Sequence, residues 1–208
     1  MNIHSTYDHI LKIIIIGDSG VGKSNFLFRF VENRFSQLYQ ITLGFDSKTK
    51  ICALPKSKKK VKLQLWDTAG QERYMSINKL FFQRVQGIIL IYDITRRESY
   101  ENLNKWVQLI DDNTFNIPVV LVGNKIDDED ENRIVRTEEG RTFAKNNGFL
   151  FHEASALNGK NVNNTIYDLS EAIISTLEHT FSMNISQSEL DFLGTKDKRY
   201  KFQDEKCC

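Results

Sequence analysis

The run Leu11-Lys12-Ile13-Ile14-Ile15-Ile16 is short, mostly β-branched and stopped by Gly17. Without strict alternation of apolar and polar positions, it predicts a strand buried on both faces. Residues 61–66, Gly87-Ile88-Ile89-Leu90-Ile91-Tyr92 and Pro118-Val119-Val120-Leu121-Val122-Gly123 repeat the pattern, and Gly148-Phe149-Leu150-Phe151-His152 gives a weaker version. Between these runs, residues 23–33, 99–112 around Trp106, 137–146 and 162–180 show helical period. In the last of them Val162, Ile166, Leu169, Ile173 and Leu177 recur at intervals of 4, 3, 4 and 4, which places them on one helix face. Strands alternating with helices predict parallel βαβ units and a sheet covered on both sides.

Residues 44–66 break the alternation, since two extended runs follow one another with no helix-length connection. They predict an antiparallel hairpin. Its tip, Pro55-Lys56-Ser57-Lys58-Lys59-Lys60, is basic, and Asp127-Asp128-Glu129-Asp130-Glu131 is an acidic loop that offsets it. Each reads as a solvated turn, although charged loops also choose partners. There is no internal repeat. Periodicity fades from Ser182, and residues 186–208 read as a flexible tail. The expected organisation is a short extension at 1–10, one α/β domain at 11–181 and a tail at 182–208.

Composition narrows the function class. The 208 residues carry 28 Lys+Arg against 27 Asp+Glu, a net charge of +1 that gives no broad field for a polyanion, so no nucleic-acid partner is expected. No stretch reaches the roughly 18 apolar residues of a membrane-spanning helix, and Met1-Asn2-Ile3-His4-Ser5 lacks both a signal-peptide core and the glycine at position 2 that myristoylation requires. A cytosolic chain is expected. Three cysteines make no secreted disulfide framework, and His4, His9, His152 and His179 form no ligand-spaced cluster with them. Cys52 stands alone while Cys207 and Cys208 end the sequence.

Chemistry enters at Gly17-Asp18-Ser19-Gly20-Val21-Gly22-Lys23-Ser24, which matches G-x-x-x-x-G-K-[ST] between a predicted strand and a predicted helix. Its glycines let the loop curl so that backbone N–H groups face phosphate oxygens, and the helix N-terminus adds positive dipole. Lys23 would bridge β- and γ-phosphates, and the Ser24 hydroxyl would ligate Mg²⁺. At ordinary glycine frequencies the pattern arises by accident in about one chain of this length in a hundred. Trp66-Asp67-Thr68-Ala69-Gly70-Gln71-Glu72-Arg73 ends another strand. There Asp67 can hold the Mg²⁺ shell, Gly70 lets a backbone N–H approach a γ-phosphate, and Gln71 can orient the attacking water. In Gly123-Asn124-Lys125-Ile126-Asp127 the Asp127 carboxylate can accept from the ring N–H and exocyclic amine of guanine, a donor pair that adenine does not present. Asn124 would brace the loops and the Lys125 stem would lie along the base. Taken singly, the last two motifs also read as an exposed turn and a polar loop.

The ordered set of Gly17 to Ser24, Thr42, Asp67 to Gln71, Asn124 to Asp127 and Ser155-Ala156 resembles the Ras superfamily of small GTPases over about residues 10–180. Lys62-Leu63-Gln64-Leu65-Trp66, Arg73-Tyr74-Met75-Ser76-Ile77 and Leu90-Ile91-Tyr92-Asp93-Ile94-Thr95 narrow the resemblance to its Rab family. It implies a P-loop NTPase fold, a six-stranded, mostly parallel sheet flanked by five helices, with the hairpin supplying one antiparallel strand. It implies phosphate contacts from Ser19, Gly20, Val21, Gly22, Lys23, Ser24, Asn25, Thr42 and Gly70, and Mg²⁺ held by Ser24, Thr42 and Asp67. It gives Phe35, Asn124, Lys125, Asp127, Ser155, Ala156 and Leu157 to the guanine, with the Ser155 and Ala156 backbone N–H groups on the base carbonyl.

The implied activity is hydrolysis of GTP to GDP and phosphate, with Gln71 catalytic and Mg²⁺ as cofactor. Two switch segments, around Thr42 and Gly70, would be held by the γ-phosphate and released on its loss. No Arg in the motifs matches a built-in arginine finger, and Arg73 belongs by resemblance to the second switch, so slow intrinsic hydrolysis and a GTPase-activating protein are expected. The other implied partners are an exchange factor, effectors, a GDP-dissociation inhibitor and a prenylation escort protein, with the chain a monomer. A nucleotide-bound scaffold that never cycles is the rival reading, but its mark would be loss of Lys23, Thr42 or Gln71. An ATP-dependent enzyme does not explain Asp127.

Three places depart from the Rab pattern: Ser47 replaces an aromatic, Phe81-Phe82-Gln83-Arg84-Val85 stands where Tyr-Tyr-Arg-Gly-Ala is usual, and Leu157 stands where Lys is common. None touches phosphate chemistry. Ser47, Trp66 and Phe81 occupy the aromatic cluster that partners read, so effector identity stays open. The resemblance also gives Cys207 and Cys208 a use, a geranylgeranyl group on each. Residues 182–208 carry five basic and five acidic side chains, so this tail gains little from anionic lipid, and stable attachment would depend on both lipid chains. The expected location is the cytoplasmic face of an intracellular or plasma membrane, with a soluble cytosolic pool.

Overall fold

The computed structural model describes residues 7–36, 45–68, 81–128 and 132–196. Thr42, Gly70, Gln71, Arg73, Cys207 and Cys208 lie outside the described residues. Two compact units divide the chain, Met1–Ile173 and Ile174–Cys208, and every described residue of the predicted site belongs to the first.

Among the described residues six strands form one sheet in the order β2-β3-β1-β4-β5-β6: β1 (His9–Ile16), β2 (Phe45–Ala53), β3 (Lys60–Thr68), β4 (Gly87–Asp93), β5 (Val119–Asn124) and β6 (Leu150–Ala154). Every pairing is parallel except β2 with β3. That exception is the hairpin expected from residues 44–66. The α-helices among the described residues are α1 (Lys23–Glu32), α2 (Arg97–Glu101), α3 (Leu103–Asn113), α4 (Thr137–Asn146) and α5 (Val162–Lys196). The mostly parallel sheet with flanking helices is the architecture the sequence implied.

β4 and β5 are buried at every position, which is why they read as unbroken apolar runs. Phe26, Leu27 and Phe30 of α1 are buried, as are Leu103, Trp106 and Ile110 of α3, so each helix sinks one stripe. Fully burying one such side chain contributes about 1.5–3 kcal/mol.

The structure departs from the periodicity in three places. The helix expected over 99–112 is two, α2 and α3, meeting at Asn102, whose backbone N–H closes α2 on Glu98. Residues 162–193 contain neither Pro nor Gly, so helical backbone continues past the point where the apolar stripe fades and α5 runs to Lys196. The basic hairpin tip is docked as well as solvated. Lys56 and Ser57 donate backbone N–H groups to Glu171 Oε1 at 2.8 and 2.9 Å, and Lys56 pairs with Asp168 at 2.7 Å. Among the described residues no helix is long and apolar enough to cross a membrane.

Candidate active site

The carboxyl ends of the parallel strands converge. β1 leads into residues 17–24, β3 ends at Asp67 and Thr68, β4 ends at Asp93, β5 leads into Asn124 and Lys125, and β6 leads into Ser155. Strand order reverses direction at β1, with β3 on one side and β4 on the other. Open α/β sheets bind ligands at the carboxyl ends beside such a reversal.

The loop after β1 needs its glycines. A Cβ on Gly17 would lie 2.2 Å from the Ile91 carbonyl oxygen, and one on Gly22 would lie 2.5 Å from Asn124 Nδ2, with φ positive at both (+138° and +99°). Gly22 is the N-cap of α1, so helix N–H groups open onto this loop. Lys23 is buried and its ammonium donates to the carbonyls of Gly17 and Asp18 at 2.8 and 2.7 Å. A cation arched back over its own loop is placed to meet an anion lying in it. The Ser24 hydroxyl donates to Asp67 Oδ2, bringing a hydroxyl and a buried carboxylate from separate motifs together. Two hard oxygen donors at the mouth of an anion loop suit Mg²⁺, which prefers such ligands and phosphate oxygens.

At the other end of the cleft, Asn124 is buried and bridges two loops: its amide donates to the Val21 carbonyl at 2.8 Å and accepts the Ala156 N–H at 3.1 Å. Asp127, exposed in the short 3₁₀ turn Ile126–Asp128, accepts the buried Ser155 hydroxyl on Oδ1. Lys125 has a positive φ of 74° and its ammonium pairs with Asp93 at 2.5 Å. Asp93 is fixed in turn by the Thr95 backbone and hydroxyl at 2.9 and 2.7 Å. The Ser155 N–H donates to the Lys160 carbonyl and the Ala156 N–H to Asn124, so a guanine carbonyl would have to share these two donors. Leu157 is 44% exposed at the rim. Phe35, half-buried, follows the left-handed C-cap Asn33 of α1.

Several residues that brace the cleft were not singled out from the sequence. Asp18 is 9% exposed and accepts the Trp106 indole N–H and the Asn102 amide, each at 2.8 Å. The break between α2 and α3 places Asn102 for that bond. Arg96 donates to the Ser19 carbonyl at 2.7 Å, clasping the loop from outside. Arg29 donates to the Ala156 carbonyl at 3.0 Å. Trp106 fits a helical apolar stripe and Asn102 an ordinary helix end, so only a buried indole N–H needing an acceptor could have hinted at the link.

Outside the cleft, Ser47 faces Trp66 across the β2–β3 ladder. Lys12 of β1 lies 5.2 Å from the Trp66 ring centre and 6.0 Å from that of Phe81, and donates to the carbonyls of Phe81 and Gln83 at 3.1 and 2.8 Å. Partial burial pushes its ammonium below the usual lysine pKa.

Residues 12–175 match the Ras family. Among curated relatives, the chain is 41% identical over 172 residues to Ras-related protein Rab-10 of Caenorhabditis elegans, covering 82% of this chain and 84% of that one. It is 43% identical over 169 residues to Ras-related protein SEC4 of Saccharomyces cerevisiae, covering 81% and 77%. With Ras-related protein Rab-3A of Homo sapiens the figures are 44% over 168 residues, 80% and 75%. The family match spans the loop after β1, the β2–β3 hairpin and the base-side loops alike, and with these relatives the chain belongs to the Ras family, as a Rab small GTPase.

Proposed function

We propose that this cleft holds GTP with Mg²⁺ and hydrolyses it to GDP, giving the Rab GTPase its switch in vesicle trafficking. The juxtaposition of Lys23, Ser24 and Asp67 at the mouth of the glycine loop carries the reading. Lys23 supplies fixed positive charge to the β- and γ-phosphates, and the α1 N–H groups supply the rest of the cradle. When bound, Mg²⁺ neutralises charge on the phosphate oxygens; Ser24 and Asp67 are the described residues that would hold it, with Thr42 as the proposed third. Gln71 orients the water for in-line attack. Asp127 accepts from the guanine edge with Ser155 holding its carboxylate in place, while Asn124 ties the base-side loop to the phosphate loop. Phe35 covers the base.

Nucleotide binding, regulators and effectors as a class, and membrane-associated trafficking follow from the family. The finer reading is that an activating protein supplies the missing charge in trans, an exchange factor opens the cleft, and an escort protein and GDP-dissociation inhibitor handle a chain lipidated on Cys207 and Cys208. Effectors read the face built from Ser47, Trp66 and Phe81. Nucleotide extracted from the purified protein should chromatograph as GDP or GTP, and single-turnover hydrolysis should be slow without a partner. Bound ATP, or several turnovers per second unaided, would overturn the reading.

A further inference from the structure

We propose that Asn25 and Arg29, one turn apart on α1, are positioning residues that set how long a guanine nucleotide stays bound, by pinning the two loops on either side of the base. The proposal rests on the reading of Phe35 as the base cover and of residues 155–157 as the base-side loop.

Residues four apart on a helix share a face. Here both side chains leave that face for backbone. The Asn25 amide donates to the Ser36 carbonyl at 3.0 Å and accepts the Ser36 N–H at 3.0 Å, two bonds that hold the backbone of one residue on both sides, the N–H being part of the peptide that joins it to Phe35. Ser36 is the neighbour of Phe35, so the ring can leave its position only if this pair breaks or the chain twists between the two residues. An aliphatic side chain at position 25 would make neither bond.

Arg29 serves the other side. Its Nε donates to the Ala156 carbonyl at 3.0 Å and its Nη2 to the Leu157 carbonyl, while Nη1 donates to the Asn33 carbonyl and side chain, both at 3.1 Å. One rigid fork thus joins the C-terminus of α1 to the loop after β6. Gly159 makes room for it, because a Cβ there would lie 3.3 Å from Arg29 Cδ. Ala156 is then held on both sides, its N–H by Asn124 and its carbonyl by Arg29. With α1 seated on the phosphate loop through Gly22, one helix carries the phosphate cradle and both walls of the base pocket.

The test is release of a fluorescent GDP analogue from the full chain with Mg²⁺ present and excess GDP as chase. Loss of the two hydrogen bonds by which each side chain holds its loop, Asn25 to Ser36 and Arg29 to Ala156 and Leu157, corresponds to about 5- to 100-fold faster release, which is the expected effect of Asn25→Ala and of Arg29→Ala separately. Arg29→Lys keeps the charge without the fork and should release nearly as fast as Arg29→Ala. Phe35→Ala should also be fast, and because Asn25 acts through Phe35, adding Asn25→Ala to it should change release less than about twofold. Adding Arg29→Ala to Phe35→Ala should multiply the two effects. A general loss of packing would not produce that split. Fast release from Phe35→Ala with wild-type rates in Asn25→Ala and Arg29→Ala would overturn the proposal alone. Wild-type release from Phe35→Ala would overturn the reading of Phe35 as cover and the Asn25 arm with it.

Discussion

The bond between Trp106 and Asp18 offers the sharpest test of how the phosphate loop is held. Asp18 lies inside the glycine motif, almost fully buried, with its two carboxylate oxygens taken by donors from α3 and from the junction before it. Trp106→Phe keeps an aromatic ring in the stripe of α3 and removes the indole N–H, leaving Asp18 Oδ1 buried without that donor. Removing a hydrogen bond to a charged group, with its acceptor left buried, costs about 1.5–3 kcal/mol. For a chain of this size each kcal/mol moves the midpoint by roughly 2–4 °C, so an unfolding temperature lower by about 3–12 °C is expected.

The smaller ring also leaves a gap, which must be separated from the bond. Asp18→Ala and the double variant complete a cycle in which the packing loss cancels, and the coupling isolates the hydrogen bond. Unfolding is followed at one fixed excess of GDP and Mg²⁺, because ligand binding shifts apparent stability by mass action. A coupling of about 1.5–3 kcal/mol, with faster GDP release from Trp106→Phe, is expected. A coupling below about 0.5 kcal/mol would show that α3 does not brace the loop, and the account of Asp18 would fall.

Asp127→Ala removes the acceptor for two guanine donors and should weaken GTP binding by roughly 10²-fold or more, measured by competition with a fluorescent nucleotide; unchanged preference for guanine over adenine would refute its role. His152 has its pKa pushed below the ordinary value by burial, partly opposed by Asp168 at 3.2 Å. The unfolded chain therefore binds its proton first, so the stabilisation is complete above about pH 7 and is lost as pH falls through about 6.5 toward the lowered folded value. His152→Gln should flatten the unfolding temperature across that window, and an equal slope in both proteins would count against it. Cys207→Ser and Cys208→Ser should each release most protein from membranes on fractionation, since one lipid chain anchors only marginally and residues 182–208 add no net charge; unaltered retention of both variants would contradict this.

What could be read from the chain was local. A β-branched run between turn residues announces a buried strand because both faces must be apolar, and β1, β4 and β5 lie where such runs lie. Gly17 and Gly22 were legible because their neighbours exclude a Cβ. Asn124 and Asp127 were legible because the turn after β5 sets both at one end of the sheet. Hydrogen bonds across the sequence left no comparable trace. Trp106 and Asp18 are 88 positions apart, and Arg29 and Ala156 are 127 apart. Each of these residues fits a bland local role, as core aromatic, loop filler, helix cation or small loop residue, so periodicity had nothing to register.

Where the local pattern was imperfect, the irregularity has a physical use. Asn102 interrupts what reads as one amphipathic helix, and the interruption turns its amide toward Asp18. Lys12 interrupts the apolar run of β1, and its ammonium sits against the Trp66 and Phe81 rings while bonding the carbonyls of Phe81 and Gln83. A charged residue in a strand costs stability unless its head reaches partners, and Lys12 reaches both β3 and the turn at Phe81. Its ammonium thus lies beside both rings, next to the position where Ser47 faces Trp66 across the β2–β3 ladder. Such breaks in pattern are expected where a residue serves a site as well as a fold. The proposed phosphate chemistry lies in contiguous motifs, whereas the proposed partner-facing surface is assembled from single side chains on β2, β3 and the turn at Phe81, each borne on the same sheet or its adjoining turn.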